Sequence, residues 1–582
     1  MTTVKRMVWA VAAAAVVVTG ALQVSAQQAP DPRVGLKAGL TDAGQAARNI
    51  ELLKNIPRPD NFGDPMSGGL GFANSDIAFK GNTLFLGNFY GFNFYDIEDP
   101  RAARLRASIP CPGGQGDLSV YGNLMFMSVE QGNGRVDCGT QGTGEMGKPN
   151  PERFRGVRIF DISDVSKPRQ VAAVQTCRGS HTHSLVPTTK NPDVLYVYGS
   201  GTSGVRQTDE LDICSSGAPN ENPETALFSI DVIEVPLKNP ENARIVNRPR
   251  IFQDYGTGAI AGLWAGGAHG DGTQRTSTTN QCHDITVYPE LGLAAGACSG
   301  NGILLDVSDP VNPVRLDAVS DPSFAYWHSA TFNNDGTKVI FTDEWGGGTS
   351  PRCRETDLPS WGANAIFEIH NKKMVFRSYF KLPAAQTATE NCVAHNGSLV
   401  PVPGRDIKVQ AWYQGGLSVF DFTDATRPVE IAFFDRGPVS AEKLITAGYW
   451  SVYWYNGYIY GSEIARGLDI LELKPSEYLS ANEIEAAKLV QMQEFNAQSQ
   501  PKMAWPKNPV VARAYVDQLV RSKSMSAARA AEINTTLTGN NKAALTALVE
   551  SLAADAKGAN PIDARKYQAL SDTITGYAAT LK

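Results

Sequence analysis

Histidine is scarce in this chain, with 7 among 582 residues, and charged residues make up only 19%. Acidic side chains outnumber basic ones, the net charge is −6, and no run of Lys or Arg stands out. That balance excludes a general attraction to nucleic acid or to an anionic membrane surface. Beyond residue 26 no apolar stretch reaches the roughly 18 residues that a membrane-crossing helix needs, so no membrane insertion is expected. The sequence also lacks a nucleophile elbow, a P-loop, a dinucleotide-binding fingerprint and a local HExxH. Any chemistry must therefore be assembled from residues far apart in the chain.

What is present begins with a targeting signal. Lys5 and Arg6 precede an apolar run over residues 7–22, and Val24-Ser25-Ala26 offers a small-residue cleavage site before Gln27. This pattern predicts a signal peptide over 1–26 and a periplasmic or secreted mature protein. Export makes the 8 cysteines disulfide partners rather than reactive thiols. Cys111, Cys177, Cys282 and Cys392 each precede a predicted first strand of a repeat, and Cys138, Cys214, Cys298 and Cys353 each follow a predicted second strand. Those two kinds of loop emerge on one face of the fold argued below, and pairing across that face in sequence order is the simplest expectation.

The repeat is clearest from Gln281 to Val319, where four short apolar runs are punctuated by Gly and Pro within about 40 residues, the period of a propeller blade. Its tail, Asp306-Val307-Ser308-Asp309-Pro310, recurs as Asp96-Ile97-Glu98-Asp99-Pro100, Asp161-Ile162-Ser163-Asp164, Asp231-Val232-Ile233-Glu234, Asp421-Phe422-Thr423-Asp424 and Asp469-Ile470-Leu471-Glu472. A degenerate copy, Ile366-Phe367-Glu368-Ile369, fills the gap in the series. Seven copies predict an all-β seven-bladed β-propeller over residues 70–475. The wording GLxIxDISDPxxP, carried by residues 302–313 and 156–168, resembles the LVIVD-repeat family, and the resemblance spans roughly residues 74–475. It implies a secreted bacterial propeller and speaks for fold rather than activity. Blade count and histidines are also similar to the selenium-binding protein and methanethiol oxidase group, a likeness of architecture that implies copper.

Outside the repeats, residues 27–69 are expected to form an amphipathic helix over 40–53 and a Gly-rich lead-in. Residues 476–582 shift to Ala, Lys, Glu and Leu, with Ser480 and Glu483 as a capping box for a helix through about Glu494 and a Pro-rich linker over 501–509. Apolar residues at helical spacing then predict an appended α-helical domain. Four long loops, residues 131–155, 201–226, 253–281 and 346–361, fall on the cysteine-bearing face. That face is where a small-molecule or protein partner is expected.

Two columns emerge when the blade starts are aligned. One, Asp76, Asp117, Ser184, Asp284, Ser329, Asn396 and Ser451, carries a short polar side chain in every blade and reads as structural. The other is Ser75, Gly116, His183, His283, His328, His395 and Trp450. Four of the seven histidines thus fall in four consecutive blades, and His181 lies two residues from His183, on the same side of an extended segment. Inner strands converge on the channel, so His183, His283, His328, His395 and His181 are candidate ligands for a divalent transition metal: copper, zinc or iron. Glu344 is the candidate to orient a ligand imidazole or to act as general base, with Glu130, Asp343 and Glu463 on the same face; Trp327, Trp345, Trp412 and Trp450 are candidates to wall the mouth. Two functions stay open, a metal-dependent redox or hydrolytic enzyme and a non-catalytic binding or scaffolding propeller. A histidine can equally be a hydrogen-bonded pin within its own blade.

Overall fold

The computed structural model describes residues 30–145 and 147–582; the expected signal peptide lies outside them. Seven antiparallel sheets form a ring, a seven-bladed β-propeller. Blade one is Asn74–Lys80, Thr83–Asn88, Gly91–Asp96 and Arg104–Pro110, running outward from the axis. The inner strands of the other blades are Leu118–Tyr121, Thr182–Pro187, Asp284–Tyr288, Trp327–Phe332, Gly397–Val400 and Tyr449–Tyr455.

The recurring tail has a physical cause. Its first Asp ends the third strand and accepts the backbone N–H two residues on: Asp96 from Glu98 at 3.2 Å, Asp161 from Ser163 at 2.9 Å, Asp306 from Ser308 at 3.0 Å and Asp421 from Thr423 at 2.8 Å. In the same four blades the second Asp does likewise in the turn to the fourth strand, as when Asp309 accepts Val311 N at 3.0 Å. These side-chain turns hold the chain out of extended conformation where the sheet must reverse.

The segment expected to be a helix over 40–53 is instead two strands. Gln45–Arg48 adds a fifth strand to blade six, and Ile50–Ile56 is the outermost strand of blade seven, antiparallel to Gly467–Leu473 with Ile50 opposite Leu473. Blade seven thus has three strands from the end of the propeller and one from its beginning, so the ring is closed by mixing the chain ends. The four-run repeat of the sequence predicts four local strands in this blade instead. Arg33 anchors this closure: it is 1% exposed, pairs with Glu430 at 2.8 Å and Asp31 at 2.7 Å, and lies 3.9 Å over the Phe433 ring.

After the propeller the capping box at Ser480 and Glu483 starts a helix, Ala481–Lys488, shorter than expected because the chain re-enters the propeller. Glu494–Asn496 pairs with the inner strand of blade one. The Asn496 amide bonds both N–H and C=O of Val120, at 2.7 and 2.8 Å, and the Gln500 amide does the same to Phe332, at 3.1 and 3.0 Å. Val287 N–H donates to Gln498 C=O and its C=O accepts from Gln500 N. One segment thus touches the inner strands of blades one, two, four and five, at the ends opposite the histidines. It crosses the axis and plugs that end of the channel.

Helices Pro509–Arg521, Ala527–Gly539, Lys542–Asp555 and Pro561–Thr580 build their own core around Val516, Leu519, Ile533, Leu552, Leu570 and Ile574. This module docks on blade six through fully buried Glu483, bonded to Arg405 at 2.9 Å and to Arg521. No helix among the described residues is long and apolar enough to cross a membrane.

The cysteines pair as expected: Cys111–Cys138, Cys177–Cys214, Cys282–Cys298 and Cys353–Cys392, with none free. Four disulfides place the chain in an oxidising, non-cytoplasmic compartment. Two tie a long mouth loop to its own blade, Cys282–Cys298 joins the entry of blade four to the end of its second strand, and Cys353–Cys392 joins the 346–361 loop of blade five to the segment entering blade six. Thiol counting on native protein is expected to find none before reduction; two or more reactive thiols would contradict this pairing.

Candidate functional site

The histidine column meets the channel where each inner strand begins. His283 N donates to Ala297 C=O at 2.8 Å, one residue before its strand starts, and His181 N donates to Ser200 C=O at 2.6 Å in the same relation. His181, not His183, is therefore the blade-three equivalent of His283. The alignment was two residues out of register in that blade.

The imidazoles of His181, His283, His328 and His395 form one arc, with successive ring centroids 4.0, 3.9 and 4.2 Å apart. His183 stands apart. It is fully buried, its Nδ1 lies 2.9 Å from Ser128 Oγ, and its ring faces Phe126. Burial holds it down to about 3.

In three members of the arc Nδ1 faces an oxygen. His283 Nδ1 donates to Asp284 Oδ1 at 3.0 Å and His395 Nδ1 donates to the Trp450 carbonyl. For His328 the partner is Thr342 Oγ1 at 3.4 Å. Ser329 Oγ donates to His395 C=O, so Thr342 must donate to Ser329, which leaves Thr342 Oγ1 accepting from His328. These bonds set the tautomers and leave Nε2 as the free lone pair. Nε2 of His328 and of His395 are buried with no hydrogen-bond partner.

Glu344 is what they face. Its Oε2 is 3.9 Å from His328 Nε2 and its Oε1 3.8 Å from His395 Nε2. His283, His328 and Glu344 each offer a ligand atom within 4.8 Å of one another. Tyr413 OH donates to Glu344 Oε1 at 2.5 Å. Tyr413 holds that pose in a left-handed backbone conformation, φ 51°. A Cβ at Gly348 would overlap its phenol and one at Gly448 its backbone carbonyl, so those two glycines let the neighbouring loops pack against Tyr413.

Electrostatics suit metal ligation. Burial pushes His395 down to about 3, and burial together with neighbouring imidazoles takes His283 and His328 well below their usual range, so all three are neutral at pH 7. Burial raises Glu344 to about 7, against the Tyr413 hydrogen bond. His181 behaves oppositely. Burial would lower it, but Glu130, 2.6 Å from Nδ1, outweighs burial and raises it. Glu130 itself is held at about 2: burial raises it, and His181 and Thr202 more than reverse that. Gln115, 2.8 Å from His181 Nε2, completes this arm. Fit to a metal rests on the orphaned Nε2 atoms of His328 and His395 and on the His283, His328 and Glu344 group, whose nitrogen and oxygen donors suit a transition metal.

The remaining expected residues lie elsewhere. Asp343 caps backbone, accepting Ala325 N, Tyr326 N and Gly362 N at 3.0, 3.0 and 2.8 Å, and Glu463 accepts Gly448 N and Ala465 N at 3.0 and 2.8 Å. Trp327 and Trp412 are fully buried in the cores between blades. Trp345 packs against Trp361, and Trp450 stands 4.9 Å from His395. The polar column is structural in most blades: Ser451 Oγ donates to Asp76 at 2.6 Å and Asn396 Nδ2 to Ser451 at 3.3 Å, linking blades six, seven and one. Asp284 has the added task of orienting His283. Gln115, Tyr413 and Thr342 were not singled out in the sequence. Each reaches the site from another blade or strand, and nothing local marks them.

No model of a protein family matches this chain, and no curated protein matches it. Among solved structures, a candidate 6-phosphogluconolactonase from Bacteroides uniformis is 10% identical, covering 66% of this chain and 89% of its own at a TM-score of 0.41. Kuenenia stuttgartiensis hydrazine synthase is 12% identical, with 66% and 89% covered at 0.38. The computationally designed Ika8 protein is 8% identical, with 68% and 95% covered at 0.35.

Proposed function

We propose that this chain is an exported, metal-dependent enzyme, released to the periplasm or beyond, whose channel mouth holds one copper, iron or zinc ion. His283, His328 and His395 would hold the ion through Nε2, with Glu344 as a fourth ligand or as the acid–base group beside it. The observation that carries this reading is the pair of buried, unpartnered Nε2 atoms on His328 and His395 facing one carboxylate. A buried polar atom without a partner costs about 1–3 kcal/mol, so a set of them aimed at one point is better explained by a ligand than by packing.

A bound ion would supply Lewis acidity or, if copper or iron, one-electron chemistry. The chain's own residues do the rest. Asp284, Thr342 and the Trp450 carbonyl fix the imidazoles, Tyr413 fixes Glu344, and Glu344, near neutrality, can take or release a proton. The oxidisable rings of Tyr413, Trp450 and Tyr326 lie 4.4, 4.9 and 5.7 Å from the imidazoles. They favour an oxidoreductase over a hydrolase. The axial plug leaves the loop-rich face as the route in for a small-molecule partner.

The test is metal titration of stripped protein followed by its melting temperature. A ligand that binds only the native state stabilises it by RT ln(1 + [L]/Kd), so Cu²⁺ or Zn²⁺ should raise the melt of the wild type. His283→Ala, His328→Ala and His395→Ala should each weaken binding by about 100-fold or more, given that even supporting residues cost 10–100-fold. His183→Ala should leave binding intact and cost stability instead. Equal metal response in all four variants would end this reading.

A further inference from the structure

Among the described residues, Arg155 is the one mouth-face guanidinium with a buried nitrogen that has neither a hydrogen bond nor a ring to lie on. It is the last residue of the 131–155 loop, directly before the third strand of blade two, Gly156–Asp161, and is half-buried. Its Nε is fully buried without a partner. Arg352, whose Nε is likewise unpartnered, at least stacks 4.5 Å over Trp345; Arg155 stacks on nothing. The charged groups around it are Glu210, Arg206, Arg153 and Glu130.

The nearby carboxylates are already committed. Glu210 takes Arg206 Nε at 2.7 Å and an Arg153 N–H through its other oxygen. Glu130 takes His181 at 2.6 Å, the Thr202 hydroxyl at 2.6 Å and the Ser203 N–H at 3.0 Å. Every guanidinium nitrogen of Arg153 and of Arg206 already donates: Arg153 also to the carbonyls of Gly132, Lys148 and Glu145, and Arg206 to Gln175 and the Arg153 carbonyl. Three guanidiniums therefore gather around one carboxylate, and the surplus falls on Arg155, the one of the three whose side chain makes no hydrogen bond. Removing a cation from water without a partner is expensive. A planar fork of free N–H donors is matched by an oxyanion, which can take two parallel hydrogen bonds.

We propose that Arg155, backed by Arg153 and Arg206, is a binding subsite for a small oxyanion, the carboxylate or phosphate group of an organic molecule. The site borders the proposed metal centre, because Glu130 connects the two: it is among the charges around Arg155, and the ring of its partner His181 meets that of His283 edge-on at 4.0 Å. The identification of that molecule as the substrate, held by its anionic end with its reactive end over the imidazoles, rests on the metal reading. The subsite itself does not.

The experiment uses the full exported chain, stripped of metal, at fixed ionic strength. Binding of inorganic phosphate and of acetate is measured separately by calorimetry and by melting, against chloride. The wild type is expected to bind at least one of them, and the tighter identifies the headgroup. Arg155→Gln should weaken that binding at least tenfold, melt no lower than wild type without the anion, and keep the wild-type melting response to added Zn²⁺. Arg155→Lys, which retains charge but loses the fork, should fall between and answers the same question if the glutamine variant fails to fold. Absence of binding in the wild type, equal binding in Arg155→Gln, or a lower anion-free melt in Arg155→Gln would each overturn the proposal. Loss of metal response in the histidine variants with phosphate binding intact would separate the two sites.

Discussion

A chain lacking residues 30–57 is expected not to be recovered as a stable propeller. The deletion removes the outer strand of blade seven, the added strand of blade six and the Arg33–Glu430 pair together. Ile50, Leu52 and Ile56 leave the cores at the join between blades six, seven and one, worth roughly 5 kcal/mol of apolar burial in total. Removing Arg33 also leaves Glu430, 8% exposed, with only its hydroxyl donor Ser418 and the half-exposed Arg48 gone as well. Against a typical stability of 5–15 kcal/mol for a whole domain, that loss is decisive. The opened edge of Gly467–Leu473 would also present unpaired backbone to other chains. The check is melting and light scattering of the purified deletion variant. Supplying residues 30–57 as a separate peptide should restore a monomeric, cooperatively melting species. An unchanged melt in the deletion variant would mean the ring closes by other contacts.

Lys408→Met is expected to act in the opposite direction. Lys408 lies on the second strand of blade six, fully buried, with a single acceptor, Gln410 Oε1 at 2.7 Å, and no carboxylate. Burial lowers its amine to about 7, against about 10.4 in an unfolded chain. A lysine depressed in this way weakens the fold where the unfolded chain is protonated and the folded one resists protonation. The penalty is complete below pH 7 and is relieved as pH rises from 7 towards 10, so stability should climb across that window by up to about 4 kcal/mol. Methionine fills similar volume and removes the titration, at the cost of about 1–3 kcal/mol for leaving Gln410 Oε1 unpaired. Urea unfolding at pH 7 and pH 9.5 decides it: the wild type should gain stability at the higher pH, and the variant should gain markedly less. An equal gain in both would mean that Lys408 is charged and solvated at pH 7.

The propeller was legible because its repeat encodes turns rather than strands. The paired Asp residues of the tail are hydrogen-bond acceptors at fixed offsets, and they survive where the strands themselves diverge. The closing strand was not legible. Residues 45–56 have apolar side chains at 50, 52, 53 and 56, a spacing that both a helix and a partly exposed edge strand accommodate. Pairing with a segment more than 400 positions away decided between them. The axial plug was hidden for a related reason: Asn496, Gln498 and Gln500 read as a polar connection, and their amides act only against the inner strands they meet. Within the site, His283, His328 and His395 were marked by the blade alignment, His181 by lying two residues from His183, and Glu344 by its place at the end of a second strand on the same face. His183 was marked by the same rule because a two-residue slip preserves the side of the strand and so leaves no trace in the pattern.

Elemental analysis of the untagged, full-length protein purified from its native oxidising compartment tests the central claim most directly. The arc of His283, His328 and His395 around Glu344 predicts close to one equivalent of copper, iron or zinc per chain, lost in His328→Ala while that variant still melts cooperatively and keeps its four disulfides. A wild-type protein that is folded and free of any transition metal, and that takes up none when copper, iron or zinc is offered, would contradict it.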